Sequence, residues 1–336
     1  MISRNISFSF ILLMFLTACT NNPLDISIDG IKTDSEFVNV DSILFYSDSA
    51  QLMKKHNEFK KDIENIYAYE IGHCLQFGDV SDTAFYNRMM LFRADETIQK
   101  LEKSIQQEFK NKIEIESKIT DGFNHLKYHF PKGKQPKKIV YLNALFNSGV
   151  FCTETEIGIG LERFLGETNE IIKRLPNEYY FDWMKKAMDK QYLERDVLAG
   201  WIETHYVDEV SGSLAEHIVR SGKVMYLTEA AFPNEDPSLI LRYSKEDYQW
   251  ALDNEYKFWQ YLVDENLLFK IDERTVANMI NEGPFTPGLP DQNSPDRLGQ
   301  FLGWRMIHSY MEQYDISVSE LINLPFNEIL QAYEID

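Results

Sequence analysis

Residues Arg195 to Ala230, RDVLAGWIETHYVDEVSGSLAEHIVRSGKVMYLTEA, constrain the fold more than any other part of the chain. They read as two amphipathic helices joined near Ser211-Gly212. Val197, Leu198, Trp201, Ile202 and His205 recur at three- and four-residue steps in the first. Leu214, Ala215, Ile218, Val219, Gly222, Met225 and Tyr226 do so in the second, so each helix has an apolar face to bury. Gly222 leaves room for a neighbouring backbone. A hairpin carrying Glu and His raises the question of zinc, which needs two His four residues apart on one face with a Glu beside the first. No HExxH occurs in the chain. The hairpin offers only Glu203, His205, Glu216 and His217 as metal-ligand candidates. Glu203 and His205 lie two residues apart and point to different faces. The expectation is a scaffold with no metal, no cofactor and no catalytic residue.

A chain of 336 residues, 44% hydrophobic, can bury a large core. Its formal charge is −19. Phosphate backbones and anionic lipid surfaces would repel it, which argues against nucleic acid as a partner.

The N-terminus explains how so acidic a body could still sit at a membrane. Arg4 precedes a largely apolar run from Ile6 to Leu16. A spanning helix needs ~20 apolar residues, so the run reads as a cleaved export signal. It ends in Leu16-Thr17-Ala18-Cys19, which resembles the bacterial lipobox. The expected organisation is a signal peptide over 1–18, cleaved between Ala18 and Cys19, then a lipidated tether over 19–36 and a single domain over 37–336. Loss of Arg4 leaves −20 on the mature chain. Acyl chains on Cys19, at ~0.8 kcal/mol per buried methylene, make a lasting anchor. No acidic run follows Cys19, so the expected location is the cell envelope, facing the periplasm. In an exported domain Cys74 and Cys152 could pair, or remain two separate buried thiols.

From Phe37 to His125 the pattern is helical. His125 and His129 fall four apart in FNHLKYHF, but no Glu lies beside the first and Pro131 ends the segment. Lys138 to Leu142 and Glu156 to Leu161 read as short strands, with turn chemistry at Phe146 to Gly149. Two such strands among many helices predict an α+β fold, predominantly helical, with a small β-sheet and packed helices. Ser244 should cap a helix whose Asp247 reaches back to it. Residues 283–290 form a Pro/Gly-rich loop. Ser294-Pro295-Asp296 then reads as N-cap, first-turn proline and acid. The following helix carries Gly299 and Gly303, where another helix, one of the central hairpin, could approach closely. Arg297 and Arg305 on it should bridge to carboxylates.

Several segments together resemble the gliding motility lipoprotein GldB family of gliding Bacteroidetes. They are the lipobox with Asn22-Pro23-Leu24-Asp25, KIVYLNALFN, IGIGLERFLG, HIVRSGKVMYLTEA, YQWALDNEYKFWQYLVDENLLFKID and SPDRLGQFLGWRMIHSYM. The resemblance implies an envelope lipoprotein required for gliding and linked to type IX secretion. Other gliding and secretion proteins would be its partners, with membrane lipid held through the acylated Cys19. The hairpin and the SPDRLGQFLGWRMI helix also resemble zincin-like peptidases. That resemblance puts Gly200, Thr204 and Ser221 at the three metal-ligand positions, hence a zincin-like core without metal site. The reading is a non-catalytic assembly or interaction component. The alternatives are a metallohydrolase with a non-standard site at Glu203, His205 and His217, or a solute-binding lipoprotein.

Overall fold

The computed structural model describes residues 22–289 and 293–335. Ala18 and Cys19 lie outside the described residues. The sheet has four strands, β1 (Glu36–Asn39), β2 (Lys138–Leu142), β3 (Val150–Cys152) and β4 (Glu156–Gly160), in the order β1-β2-β4-β3. β2 runs parallel to both β1 and β4, while β3 is an antiparallel edge. β2 and β4 are the two strands expected from the sequence. β1 and β3 were not, because four and three residues are too short for alternation to register, and the partner of β1 lies about a hundred residues away.

Successive side chains of β2 point to opposite faces, and both faces are covered. Ile139 and Tyr141 enter the larger core, and Val140 and Leu142 the smaller one. The unbroken apolar run is thus the signature of a strand buried on both sides. In β4 the apolar bulk comes from Ile157 and Ile159. A Cβ on Gly158 would lie 2.3 Å from the Phe151 ring, so glycine there lets the ring lie across the strand.

The helices α1 (Val40–Tyr46), α2 (Ser49–Asp62), α3 (Glu64–Tyr69) and α4 (Phe85–Ala94) build the smaller core, with a π-helical turn Glu70–Cys74 after α3. On the other face lie α5 (Glu96–Glu108), α6 (Ile113–His129), α7 (Glu170–Arg174), α8 (Asp182–Ala187), α9 (Leu193–His205) and α10 (Leu214–Ala231). The rest of the chain adds α11 (Pro237–Ile240), α12 (Lys245–Asp264), α13 (Glu273–Ile280), α14 (Leu298–Gln313), α15 (Val318–Leu321) and α16 (Phe326–Ala332). The fold is predominantly helical α+β, as the pattern predicts.

The hairpin α9–α10 is central to the larger core. Trp201 of α9 is fully buried, and its Nε1 donates to the Lys134 carbonyl at 3.1 Å. Helix α10 starts in a capping box of Ser213 and Glu216, then buries almost every residue from Ser221 to Ala231. A helix apolar on one face is buried all round here because α9, α6 and α14 surround it. Against α14 it packs glycine to glycine at Gly222 and Gly303. Lower down, Glu229 of α10 accepts from Trp304 Nε1 at 2.7 Å and pairs with His308 Nε2 at 2.6 Å.

Two expectations need correction. The sequence predicts a tether over residues 19–36, but from Asn22 onward the segment lies along the body. Asn22 Nδ2 donates to the Pro233 carbonyl at 2.6 Å, Leu24 is buried in the larger core, and the Thr33 amide donates to Asn124 Oδ1 at 2.9 Å. Low hydrophobicity concealed this, since a few specific bonds and one leucine do the docking. The second correction concerns Ser294-Pro295-Asp296, which does not start α14. Thr286 donates twice to the Pro295 carbonyl and Gly283 N–H donates to Asp296 Oδ2, so these residues close the preceding loop. The helix begins only after Arg297, whose φ is 52°. At α12 the cap stands as expected, with Ser244 Oγ accepting from the Asp247 amide at 3.0 Å.

Candidate functional site

A groove opens where the start of β3, the exposed side of α9, the middle of α10 and the loops before α12 and α14 meet. Its central cavity measures about 360 Å³. A second cavity of about 400 Å³ extends it toward Trp183, and a third of about 290 Å³ toward His217. Glu282, just beyond α13, lines all three.

Four arginines from separate segments line the central cavity. Arg163 comes from the 3₁₀ turn after β4, and Arg195 from the first turns of α9. Arg242 follows α11, and Arg297 precedes α14. Arg195 is buried and tied down: its Nε donates to the Ile240 carbonyl at 2.7 Å and its Nη1 to Asp196 at 3.1 Å. Arg242 Nη1 donates to Glu282 Oε1 at 2.9 Å and Nη2 to the Ala187 carbonyl at 2.7 Å. Arg297 Nη2 donates to the Arg242 carbonyl at 3.1 Å. The Arg242 and Arg297 guanidiniums also lie over the rings of Tyr192 and Tyr243, at 4.9 and 5.5 Å. Both residues have left-handed backbones, φ 54° and 52°. Non-glycine residues adopt that region rarely and at a cost, so the surrounding packing must hold them there.

The electrostatics register the convergence. Burial alone would raise the pKa of Glu282, but Arg242, Arg297, Arg163 and Arg195 outweigh it and hold the carboxyl below its ordinary value. Burial lowers the pKa of Arg195, with the nearby Asp196 opposing. In a chain with 34 basic and 53 acidic residues, four guanidiniums around one cavity are a local reversal of the overall charge.

The hairpin candidates are dispersed. Glu203 lines the groove, but Oε1 accepts from Arg220 Nη1 at 2.8 Å. His205 faces the sheet, with Nε2 2.9 Å from the Thr153 carbonyl and its ring against Trp201. His217 lines the third cavity, where burial and then Arg220 lower its pKa. Glu216 is used in the α10 cap. Among the described residues no group of three His, Cys, Asp or Glu side chains is placed to hold a metal ion. Gly200 packs near Val150 Cγ1 and Cys152 Sγ, Thr204 Oγ1 donates to the Gly200 carbonyl, and Ser221 lines the third cavity. His125 Nδ1 lies 2.8 Å from the Asp121 carbonyl, while burial lowers the pKa of His129 to about 4. Cys74 and Cys152 are both free thiols, Cys74 buried in the smaller core and Cys152 on β3.

The sequence profile of the family described as gliding motility protein GldB matches residues 21–334. The chain belongs to that family. Among curated proteins and solved structures none matches it at a significant level. The zincin likeness therefore rests on the sequence resemblance alone. Within this GldB-family chain, no helix among the described residues is long and apolar enough to cross a membrane.

Sequence reasoning did not find the arginine groove. Arg163, Arg195, Arg242 and Arg297 are spread over more than a hundred residues without a common motif. The nearest signal was the expectation that Arg297 would meet carboxylates. That pairing is present, with Asp296 Oδ2 3.1 Å from Nε, and Arg305 likewise meets Glu255 at 2.9 Å.

Proposed function

We propose that this chain acts in gliding as a non-catalytic assembly or interaction component. In this reading acylated Cys19 anchors it in the cell envelope, its body faces the periplasm, and its partners belong to the gliding and type IX secretion machinery. The family match supports the gliding role. The observation that carries the non-catalytic part is the donor chemistry of the hairpin. Gly200 has no side-chain donor, Thr204 is engaged with the helix backbone, and Arg220 occupies Glu203. Zinc takes three or four N, S or O donors at ~2.0–2.3 Å, and this hairpin does not bring them together.

The docked N-terminal segment adds a geometric consequence. Three chain steps separate Cys19 from Asn22, at most ~11 Å of extended backbone. A lipid on Cys19 would therefore hold the body close against the bilayer, with the surface near Pro233 toward it.

Elemental analysis of the full-length protein, incubated with zinc and desalted, tests the reading. The expectation is far less than one zinc per chain, with gliding intact in Glu203→Gln and His217→Gln cells. Stoichiometric zinc that disappears in His217→Gln together with gliding would overturn it in favour of a metallohydrolase. The groove itself favours a second reading, a solute-binding lipoprotein.

A further inference from the structure

The groove holds more cationic hydrogen-bonding capacity than its own carboxylates use. Asp196 and Glu282 are the acids of the central cavity available to its arginines, since Glu203 is taken by Arg220. Facing them are four guanidiniums. Arg195 is committed to Ile240 and Asp196, and Arg242 to Glu282 and Ala187. Arg297 is different. It is buried, its Nε is paired with Asp296 at 3.1 Å and its Nη2 donates to the Arg242 carbonyl, but its Nη1 is 3.9 Å from Glu282, beyond hydrogen-bond distance. Arg163 reaches the same cavity with no hydrogen-bond or ion-pair partner among the described residues. Each guanidinium has five N–H donors in a planar fork. At the buried Arg297 a donor left without a partner is costly, and an incoming anion would recover that cost; the half-buried Arg163 has its donors free for the same anion.

We propose that this cavity is a seat for an oxyanion group, a carboxylate or phosphate carried by a small ligand or by the end of a larger one. Arg163 and the Nη1 of Arg297 are its donors, and Arg195 and Arg242 form a fixed positive wall behind them. The fork geometry of guanidinium matches the paired oxygens of either group. The cavity has room for a small dianion. Tyr192 and Tyr243 beneath two of the guanidiniums keep them from swinging into solvent. The overall negative charge of the chain makes such a seat selective, because anions find few other places to bind. This inference concerns binding alone and holds whether or not the chain is catalytic.

The experiment is calorimetric titration of the full-length protein in a neutral detergent, with inorganic phosphate and with succinate in separate arms, at constant ionic strength set by chloride. Saturable one-to-one binding is expected in at least one arm. Phosphate alone would assign a phosphate-bearing ligand, succinate alone a carboxylate-bearing one, and both a general oxyanion seat. Arg163→Gln should weaken that binding at least tenfold while leaving the ligand-free melting temperature within a degree or two, since Arg163 makes no polar contact to lose. Arg297→Lys should weaken it as well, because an ammonium lacks the fork. Arg274→Gln, on the exposed first turn of α13 and outside all three cavities, should bind as the parent does. Absence of saturable binding in both arms at millimolar anion would overturn the proposal. So would binding unchanged in Arg163→Gln and Arg297→Lys.

Discussion

Gly222 of α10 and Gly303 of α14 meet backbone to backbone. A methyl group on Gly222 would lie 2.2 Å from the carbonyl carbon and oxygen of Gly303. Gly303 is as tightly placed, with a Cβ falling 2.0 Å from the Ile218 carbonyl oxygen. A flexible side chain could move aside, but two helix backbones buried at the centre of the core cannot without separating the helices.

Gly222→Ala should therefore destabilise the protein by at least ~3 kcal/mol, the upper end of ordinary overpacking. Urea unfolding followed by tryptophan fluorescence measures this. A change within half a kcal/mol of the parent would show that the helices can part freely and that the contact is not a constraint.

A second prediction concerns buried acids at the sheet. Asp41 follows β1 and Glu162 follows β4, with Glu70 from the π-helical turn close by. Burial raises all three, aided by Glu102 at Asp41 and by Glu162 at Glu70, and it brings Glu162 to about 7. Acids with raised pKa bind protons more tightly folded than unfolded. Their contribution is full at low pH and is lost as pH rises; for Glu162 it is full below about pH 4.5 and is lost as pH rises through about 7. For Glu162 alone the rise from 4.5 to about 7 amounts to ~3 kcal/mol across that window. Glu162→Gln keeps an acceptor for the Phe146 amide and removes the charge. Its urea midpoint should fall less than the parent's between pH 5 and pH 8. Parallel pH profiles for the two proteins would contradict the buried-acid account.

The thiols give a third. Burial pushes both Cys74 and Cys152 up to about 12, so each is almost wholly protonated at pH 8. Iodoacetamide should label the native protein slowly, and unfolding without reductant should expose two reactive thiols. A count of zero before reduction would establish a disulfide.

The fourth concerns the anchor. Cys19→Ala should abolish incorporation of a fatty-acid analogue while the body stays folded, since Asn22, Leu24 and Thr33 supply docking contacts of their own. Label retained on the Cys19→Ala protein would place the acylation elsewhere. Leu24→Ala should act in the opposite way, keeping the label and costing ~2–5 kcal/mol of stability, because Leu24 is buried.

Some of this protein was determined locally and could be read from the chain. The periodicities of α9 and α10, the Ser244 cap and the apolar runs of β2 and β4 depend on residues a few positions apart. The glycines at 222 and 303 likewise announced a close approach with the central hairpin as the partner, whereas Gly299 meets Met279 and Ile280 at the end of α13 instead. Tertiary structure decided what depends on residues far apart in the chain. Strands as short as β1 and β3 exist only because β2 and β4 supply their hydrogen bonds. Ser294-Pro295-Asp296 has the letters of a helix start, but Thr286 and Gly283 compete for the same groups and win. The four arginines meet because α9, α14 and two loops converge at Glu282, which no local pattern encodes. Periodicity specifies which face of an element is buried, and only the packed core specifies which distant charges then lie together.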